Sequence, residues 1–498
     1  MLSEMLRKAR EYEREKREQS QALLPAFHVT GGIGWINDPN GFSLYKGEYH
    51  LFFQYYPYDI TWGPMHWGHV KTSDFITWEY LPAALAPDAA YDKDGCFSGS
   101  AVELPNGEHL LLYTGVRKTE GGDEYQTQCV AVGDGTDYEK SELNPVIDER
   151  MLPAGGSHVD FRDPKIWREG ETFYAVAANL CPGNTGAILL YESEDAQHWR
   201  YAGMLSAGHG HYGTMWECPD FFTLDGKAVL LHSAHEMKNE GLEFHPGDGT
   251  VCHIGTFDDT GKRLVDEHVQ TIDYGLDFYA AQTLETADGR RVMIGWMQSW
   301  ASSRVGHPDL PFNGQMTVPR ELSVCGGRLC QQPVRELEAY RCNAVSYENV
   351  TVTDWQRLPG VSGRVLDLLL SVRPAGDGLY HRFRIRVAEG EGLYTELTVC
   401  PDEGIMRMDR LNSGFPHDVV HVRKFPVPVR DGEIKLRLIM DKYSLELFAG
   451  EGECAASMTL YTPQSADGIS FSSDCAALVD VKKYDLVMAP QAWRTFSD

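Results

Sequence analysis

Three acids of this 498-residue chain stand beside proline in stiff settings: Asp38 in "NDPNG", Asp163 in "FRDPK" and Glu217 in "WECPD". Proline follows each acid directly or after one residue, which narrows the backbone dihedrals and fixes the direction in which the carboxylate leaves the chain. Glycoside hydrolysis needs carboxylates held in this way. One serves as nucleophile or base, and a second carboxyl, kept protonated, gives its proton to the departing oxygen. Taken singly, each acid also has a plainer reading. Asp-Pro and Asn-Gly are ordinary turn dipeptides. Arg162 beside Asp163 reads as a surface ion pair, and Glu217 as a hydrogen-bonded residue at a strand end.

Other chemistries lack their signatures. "GHGHYG" (208 to 213) matches G-x-G-x-x-G in letters, but no helical pattern follows it and no acid sits at the required offset. His209 and His211, and His232 and His235, do not form an H-E-x-x-H pattern, so they read as solvated or supporting histidines rather than metal ligands. A G-x-S-x-G elbow and a phosphate-binding loop are both missing. The expectation is a site with no metal and no organic cofactor.

The elements that must position these acids read as strands. "YHLFFQYY" (49 to 56), "HLLLYTGV" (109 to 116), "AILLYES" (187 to 193), "AVLLHSA" (228 to 234) and "RVMIGWM" (291 to 297) are separated by Gly, Pro, Asn and Asp clusters. A faint repeat runs through them: an acidic turn, an aromatic and a second extended run recur around Trp78, Tyr138 and Trp199, at steps of 60 and 61 residues. At that step the region from 28 to 335 holds roughly five units, a propeller-like number, and a propeller gathers its inner strands around one axis. Acids far apart in sequence can therefore meet.

The expected fold is all-β: a five-bladed β-propeller over 25–335, a linker over 336–345 and a β-sandwich over 346–498, preceded by a helix over 1–24. The second unit rests on alternating stretches such as "GRVLDLLLSVRP" and "IKLRLIMDKYSLELFAG". Glu4 with Lys8 and Glu13 with Arg17 mark the leading helix as a solvated one. A net charge of −27 argues against nucleic-acid and anionic-membrane partners. No apolar run has membrane-spanning length, and the first twenty residues carry no apolar signal core. The eleven cysteines contain no C-x-x-C pair and read as free thiols of a cytosolic protein. Monomer and homodimer fit equally well.

The ordered set "WINDPNG" (35 to 41), "FFQYYP" (52 to 57), "GPMHWGH" (63 to 69), "FSGS" (97 to 100), "FRDPK" (161 to 165), "ECPD" (217 to 220), "FYAAQT" (278 to 283), "GWM" (295 to 297) and "VPREL" (318 to 322) resembles glycoside hydrolase family 32, the invertases, fructanases and sucrose-6-phosphate hydrolases. The resemblance implies a five-bladed propeller followed by a sandwich, and a retaining double displacement on a small-molecule fructoside. By resemblance, Asp38 is the nucleophile at the anomeric C2 of a fructofuranosyl unit and Glu217 the general acid and then base. Asp163, with Arg162, binds fructose hydroxyls and stabilises the oxocarbenium-like transition state. Asn37, Gln54, Trp62, Phe97, Ser98, Tyr279 and Trp296 fall at positions that line the fructose pocket in similar enzymes. Such a mechanism expects the Asp38 and Glu217 carboxyls about 5 to 5.5 Å apart and a Glu217 environment that favours its neutral form.

Two stretches depart from the family pattern. "QYYP" (54 to 57) replaces the usual "QYNP", and "HEMKNEGLEFHPGDG" (235 to 249) is unlike the usual family sequence. The expected activity is that of a cytosolic β-fructofuranosidase acting on sucrose, sucrose 6-phosphate or a short fructo-oligosaccharide. Fructosyl transfer and carbohydrate binding without turnover are the alternatives.

Overall fold

The computed structural model describes residues 2–304, 306, 307, 309–376, 380–414 and 419–493. Five four-stranded antiparallel sheets follow one another along the chain, over residues 34–85, 95–140, 161–207, 216–271 and 279–333. Their first strands are Gly34–Tyr45, Gly95–Glu103, Phe161–Glu169, Trp216–Leu224 and Tyr279–Glu285. These five lie side by side in a closed ring, the fifth returning to the first, so the sheets are blades around an axis. Two short strands extend the first blade: Phe312–Asn313 pairs in parallel with Gly34 and Trp35, and Ala492–Trp493 pairs in parallel with Glu79 and Tyr80.

The faint repeat has a structural cause. Trp78 immediately precedes the outermost strand of the first blade, and Tyr138 and Trp199 open the outermost strands of the second and third. All three are buried, so each aromatic wedges the start of an outer strand into the space between blades. The outermost strands of the fourth and fifth blades begin instead at Arg263 and Arg328, which is why the repeat fades there.

The segment expected as a linker, 336–345, is ordered: the 3-10 turn Arg335–Tyr340 runs directly into the strand Arg341–Val352. That strand belongs to a six-stranded sheet which packs on a five-stranded sheet, and the two share one apolar core that includes Leu368, Phe383, Leu397, Leu438 and Phe471. A second cluster joins this sandwich to the propeller, with Ile439, Phe448 and Leu486 meeting residues of the first and fifth blades.

The leading helix, Glu4–Ser20, is not simply solvated. Leu6, Ala9 and Glu13 are buried against the outermost strand of the first blade, Glu79–Leu85. Arg10 Nε donates to the Ala83 carbonyl at 2.9 Å, Arg17 donates to the Leu81 carbonyl at 3.2 Å, and Glu13 accepts the Ala83 N–H at 3.1 Å. Helix side chains thus satisfy the free backbone edge of this blade, which would otherwise be a template for pairing with another chain. Among the described residues, no helix is long and apolar enough to cross a membrane.

Candidate active site

Every first strand breaks its ladder at one level of the ring. Register shifts fall between Ile36 and Pro39, Phe97 and Gly99, Arg162 and Lys165, Glu217 and Asp220, and Tyr279 and Gln282. A bulge leaves residues unpaired, sharpens the strand twist and re-aims a side chain. Here it turns side chains of five strands toward the axis. "NDPNG" is therefore not a turn: it lies inside the twelve-residue strand Gly34–Tyr45. Pro39, Pro164 and Pro219 sit at the bulges, where the missing N–H of proline removes no needed ladder bond. Asp163, Cys218 and Ala280 take positive φ values of 60°, 49° and 54°. Asp163 is anchored in this conformation on both sides, its N–H donating to Thr114 Oγ1 at 2.9 Å and its Oδ2 accepting the Cys218 N–H at 3.0 Å.

The bulges open on a cavity of about 360 Å³ lined by Asn37, Asp38, Gln54, Trp62, Phe97, Ser98, Arg162, Asp163 and Glu217, together with Glu124, Gln126, Val159, Asp160 and Trp300. Asp38 is buried. It accepts from Ser98 Oγ at 2.6 Å and from Asn37 Nδ2 at 3.1 Å, while Asn37 is itself fixed by Trp35 Nε1 at 2.8 Å. Cys218 Sγ lies 3.4 Å from Asp38 Oδ2 and 3.6 Å from Asp163 Oδ2, so one side chain touches both carboxylates. Arg162 Nε donates to Glu217 Oε1 at 2.9 Å, and its NH1 is shared between Gln126 and Asp160, both at 3.1 Å. Gln54 is held by the Cys96 carbonyl at 3.1 Å. Trp62, 49% exposed, stands edge-on to Phe97 at the mouth.

Two residues expected in the pocket take other places. Tyr279 is buried and donates its hydroxyl to Glu217 Oε2 at 2.8 Å, so it reaches the cavity through that carboxylate. Trp296 is fully buried behind the wall, packed on Trp35 and Trp300, and Trp300 presents the aromatic surface to the cavity. His209 and His211 lie in the loop before the fourth blade, whereas His232 is buried and stacks on Trp216. His235 stands apart from both groups. Its Nε2 is 2.8 Å from Glu217 Oε2 and its Nδ1 is 2.8 Å from Asp248 Oδ1.

Electrostatics divide the three acids differently from the sequence expectation. Burial and the charge of Glu217 raise Asp38, against hydrogen bonds from Ser98, Asn37 and Cys218. Burial and Glu217 likewise raise Asp163, to about 7, although Arg162 opposes them. Burial would raise Glu217 too, but Arg162, His235 and the Tyr279 hydroxyl outweigh it and hold this carboxyl well below its usual range. The contacts of Glu217 with Arg162 and His235 thus favour its ionised form over the neutral form that burial alone would favour. His235 carries the matching shift, raised to about 10 by Glu217 and Asp248 against its burial.

Comparison with known proteins covers almost the whole chain. The profile of "Glycosyl hydrolases family 32 N-terminal domain" matches residues 28–333, and that of "Glycosyl hydrolases family 32 C terminal" matches residues 336–485. A sucrose-6-phosphate hydrolase of Zymomonas mobilis is 34% identical over 451 residues, covering 88% of this chain and 86% of its own. A raffinose invertase of Escherichia coli is 33% identical over 457 residues, covering 89% and 90%. Among solved structures, a mutant Bombyx mori GH32 beta-fructofuranosidase in complex with sucrose superposes with a TM-score of 0.83 at 33% identity, over 98% of this chain and 99% of its own. With the two profiles matching residues 28–333 and 336–485 and the propeller, sandwich and convergent acids in place, the chain belongs to glycoside hydrolase family 32.

Proposed function

We propose that the chain is a retaining β-fructofuranosidase that hydrolyses the terminal β-fructofuranosyl bond of sucrose-type fructosides in the cytosol. The observation that carries this reading is the convergence of Asp38, Asp163 and Glu217, from three separate blades, on one cavity of about 360 Å³ in a family 32 chain. Asp38, aimed by Ser98 and Asn37, attacks the anomeric carbon and forms the fructosyl enzyme. Glu217 protonates the departing oxygen and then draws a proton from the incoming water. Asp163 and Arg162 hold fructose hydroxyls. With its carboxyl raised to about 7, Asp163 can either donate or accept there, which suits a ring whose charge grows in the transition state. Solvolysis in methanol tests the stereochemistry: retention gives methyl β-fructofuranoside as the first product, and an α-first product rules it out.

The cavity wall bears on the leaving group. Besides the three acids, Glu124 and Asp160 line it, while Arg162 is already engaged by Asp160 and Glu217. Lys118 is turned to Glu124 at 3.4 Å. A phosphate on the departing sugar would meet carboxylates, so a neutral disaccharide or short oligosaccharide is the favoured substrate. The expected kcat/KM on sucrose exceeds that on sucrose 6-phosphate by about tenfold at low ionic strength, and added salt narrows the gap. Assays of sucrose, sucrose 6-phosphate, 1-kestose and inulin at two salt concentrations decide it. A preference for the phosphorylated sugar would refute the neutral leaving group, and absence of turnover on all four would refute the enzyme.

A further inference from the structure

The clamp on Glu217 leaves a chemical problem. A carboxylate held ionised by Arg162 and His235 has no proton to give, yet the bond to the leaving sugar breaks only as its oxygen is protonated. Among the described residues, the acidic protons recorded against Glu217 are the Tyr279 hydroxyl and that on His235 Nε2, 2.8 Å from Oε2. We infer that His235 is a positioning residue that stores the proton which Glu217 delivers to the leaving sugar and recovers from water, with Asp248 fixing its far side. The inference rests on the acid/base reading of Glu217 given above.

The local structure is built for this contact. The strand Lys227–Met237 breaks register between Ala234 and Met237, and Glu236 there has a φ of 55°. The break turns His235 out of its ladder toward the axis. Its backbone is clamped at the same time: the His235 N–H donates to the Met215 carbonyl at 3.0 Å, and its carbonyl accepts the Thr214 N–H at 2.8 Å. Asp248, on the facing strand Gly247–Asp258, meets Nδ1 at 2.8 Å. With Nδ1–H donated to Asp248, the proton on Nε2 is the one that can move. Both residues belong to the fourth blade, His235 on its second strand and Asp248 on its third.

Glu217 comes from Trp216–Leu224 and Asp248 from Gly247–Asp258, and the Tyr279 ring lies 5.9 Å from that of His235. Arg162 pairs with Glu217 on its other oxygen, and Asp163 and Asp38 feel the charge of Glu217. Two carboxylates facing one imidazole outweigh its burial and keep it cationic in the resting site.

The step balances without any added reagent. The Nε2–H bond breaks with its electron pair left on nitrogen, and an O–H bond forms on Glu217 Oε2. The ion pair becomes a neutral imidazole beside a neutral carboxylic acid. That acid gives its proton to the glycosidic oxygen as Asp38 takes C2. In the second half-reaction the Glu217 carboxylate takes a proton from the attacking water and returns it to Nε2, which restores the ion pair. The pair holds one proton in the free enzyme and none in the fructosyl enzyme, and the one-proton form is the competent acid.

The test is the pH dependence of kcat/KM for the wild type, His235→Gln and Asp248→Asn, on sucrose and on a nitrophenyl β-fructofuranoside whose leaving group needs no proton. In His235→Gln the proton must sit on Glu217 alone, beside Arg162. The alkaline limb on sucrose therefore moves to lower pH by about two units or more. Asp248→Asn moves it the same way by less. On the nitrophenyl substrate both variants stay within about threefold of the wild type, because protonation no longer limits the rate. An unmoved alkaline limb, or equal losses on both substrates, overturns the proposal. Should His235→Gln fail to give the wild-type circular dichroism spectrum, Asp248→Asn alone carries the same comparison. A wild type inactive on every fructoside would instead bring down the acid/base reading itself, an outcome distinct from an active enzyme whose pH profile ignores His235.

Discussion

Asp38→Asn is expected to lower kcat for fructose release by at least about 10⁴-fold while the protein folds normally and melts no lower than the wild type. The amide keeps the shape of the carboxylate and can still accept the Ser98 hydroxyl, which lies 2.6 Å from Oδ2, while the hydrogen bond from Asn37 to Oδ1 is given up. What disappears is the nucleophile, and an amide oxygen cannot form the fructosyl ester. The stability half of the prediction follows from the direction of the Asp38 shift. Burial and the neighbouring Glu217 charge raise this carboxyl, so its ionised form opposes folding near neutral pH, and the neutral amide removes that opposition. The variant is therefore expected to be at least as stable as the wild type. Lost activity with retained or raised stability is the pattern of a residue kept for chemistry. The opposite pattern, active but less stable, would return Asp38 to the role of a structural residue. Rates of fructose release and thermal melts of the two proteins suffice to separate these outcomes.

The sequence exposes the acids more clearly than their surroundings, for physical reasons. Acid and proline side by side leave a trace because the bulge that aims a carboxylate at the axis also tolerates, and is stiffened by, a residue with no N–H. The same letters mislead about local structure: "NDPNG" has the chemistry of a turn, yet Asn37 to Gly41 lie within one strand whose ladder is broken rather than reversed. The blade repeat is faint because only three of the five outer strands are wedged by an aromatic at the same point. The docking of Glu4–Ser20 escapes a reading by charge pairs, since Arg10, Glu13 and Arg17 look alike whether they face water or the backbone of Leu81 and Ala83. Trp296 and Trp300 are both tryptophans near the fifth blade, and only packing tells which one the cavity sees. The ionised state of Glu217 was the least legible feature. It depends on Arg162 and on His235, the latter 18 residues away on the neighbouring strand and reaching it through a bulge, and nothing in residue order marks either contact.

Arg320→Met is expected to destabilise the fold by about 3 to 5 kcal/mol, the usual result of removing one partner from a buried ion network. Arg320 is fully buried where the propeller meets the sandwich. It bridges Asp273 at 2.9 Å and Glu446 at 2.7 Å, with Phe278 and Phe448 against its guanidinium. Beyond Glu446 the network continues through His28, whose ring nitrogens meet Glu446 and Asp441, both at 2.9 Å. Asp441 in turn accepts the Ala26 and Phe27 N–H groups, so the network ties the start of the propeller to the sandwich. Methionine fills much of the space but leaves Asp273 and Glu446 as buried charges short of a cation, and His28 alone cannot offset both. Adding Asp273→Asn and Glu446→Gln to Arg320→Met should therefore recover part of the loss, because the deficit lies in unmatched charge rather than in missing volume. The network also has a pH signature. Burial works against a charged His28, but Asp441 and Glu446 prevail and raise it to about 9. Since the folded value exceeds the unfolded one near 6.5, its contribution is complete below about pH 6.5 and is lost as pH rises through about 9. That loss is about 3 kcal/mol, and His28→Gln should flatten this part of the curve. Denaturant melts at pH 6 and 9.5 test both claims. An Arg320→Met protein within about 1 kcal/mol of the wild type at pH 6 would mean that apolar packing across the interface, not the buried ions, holds the sandwich against the propeller.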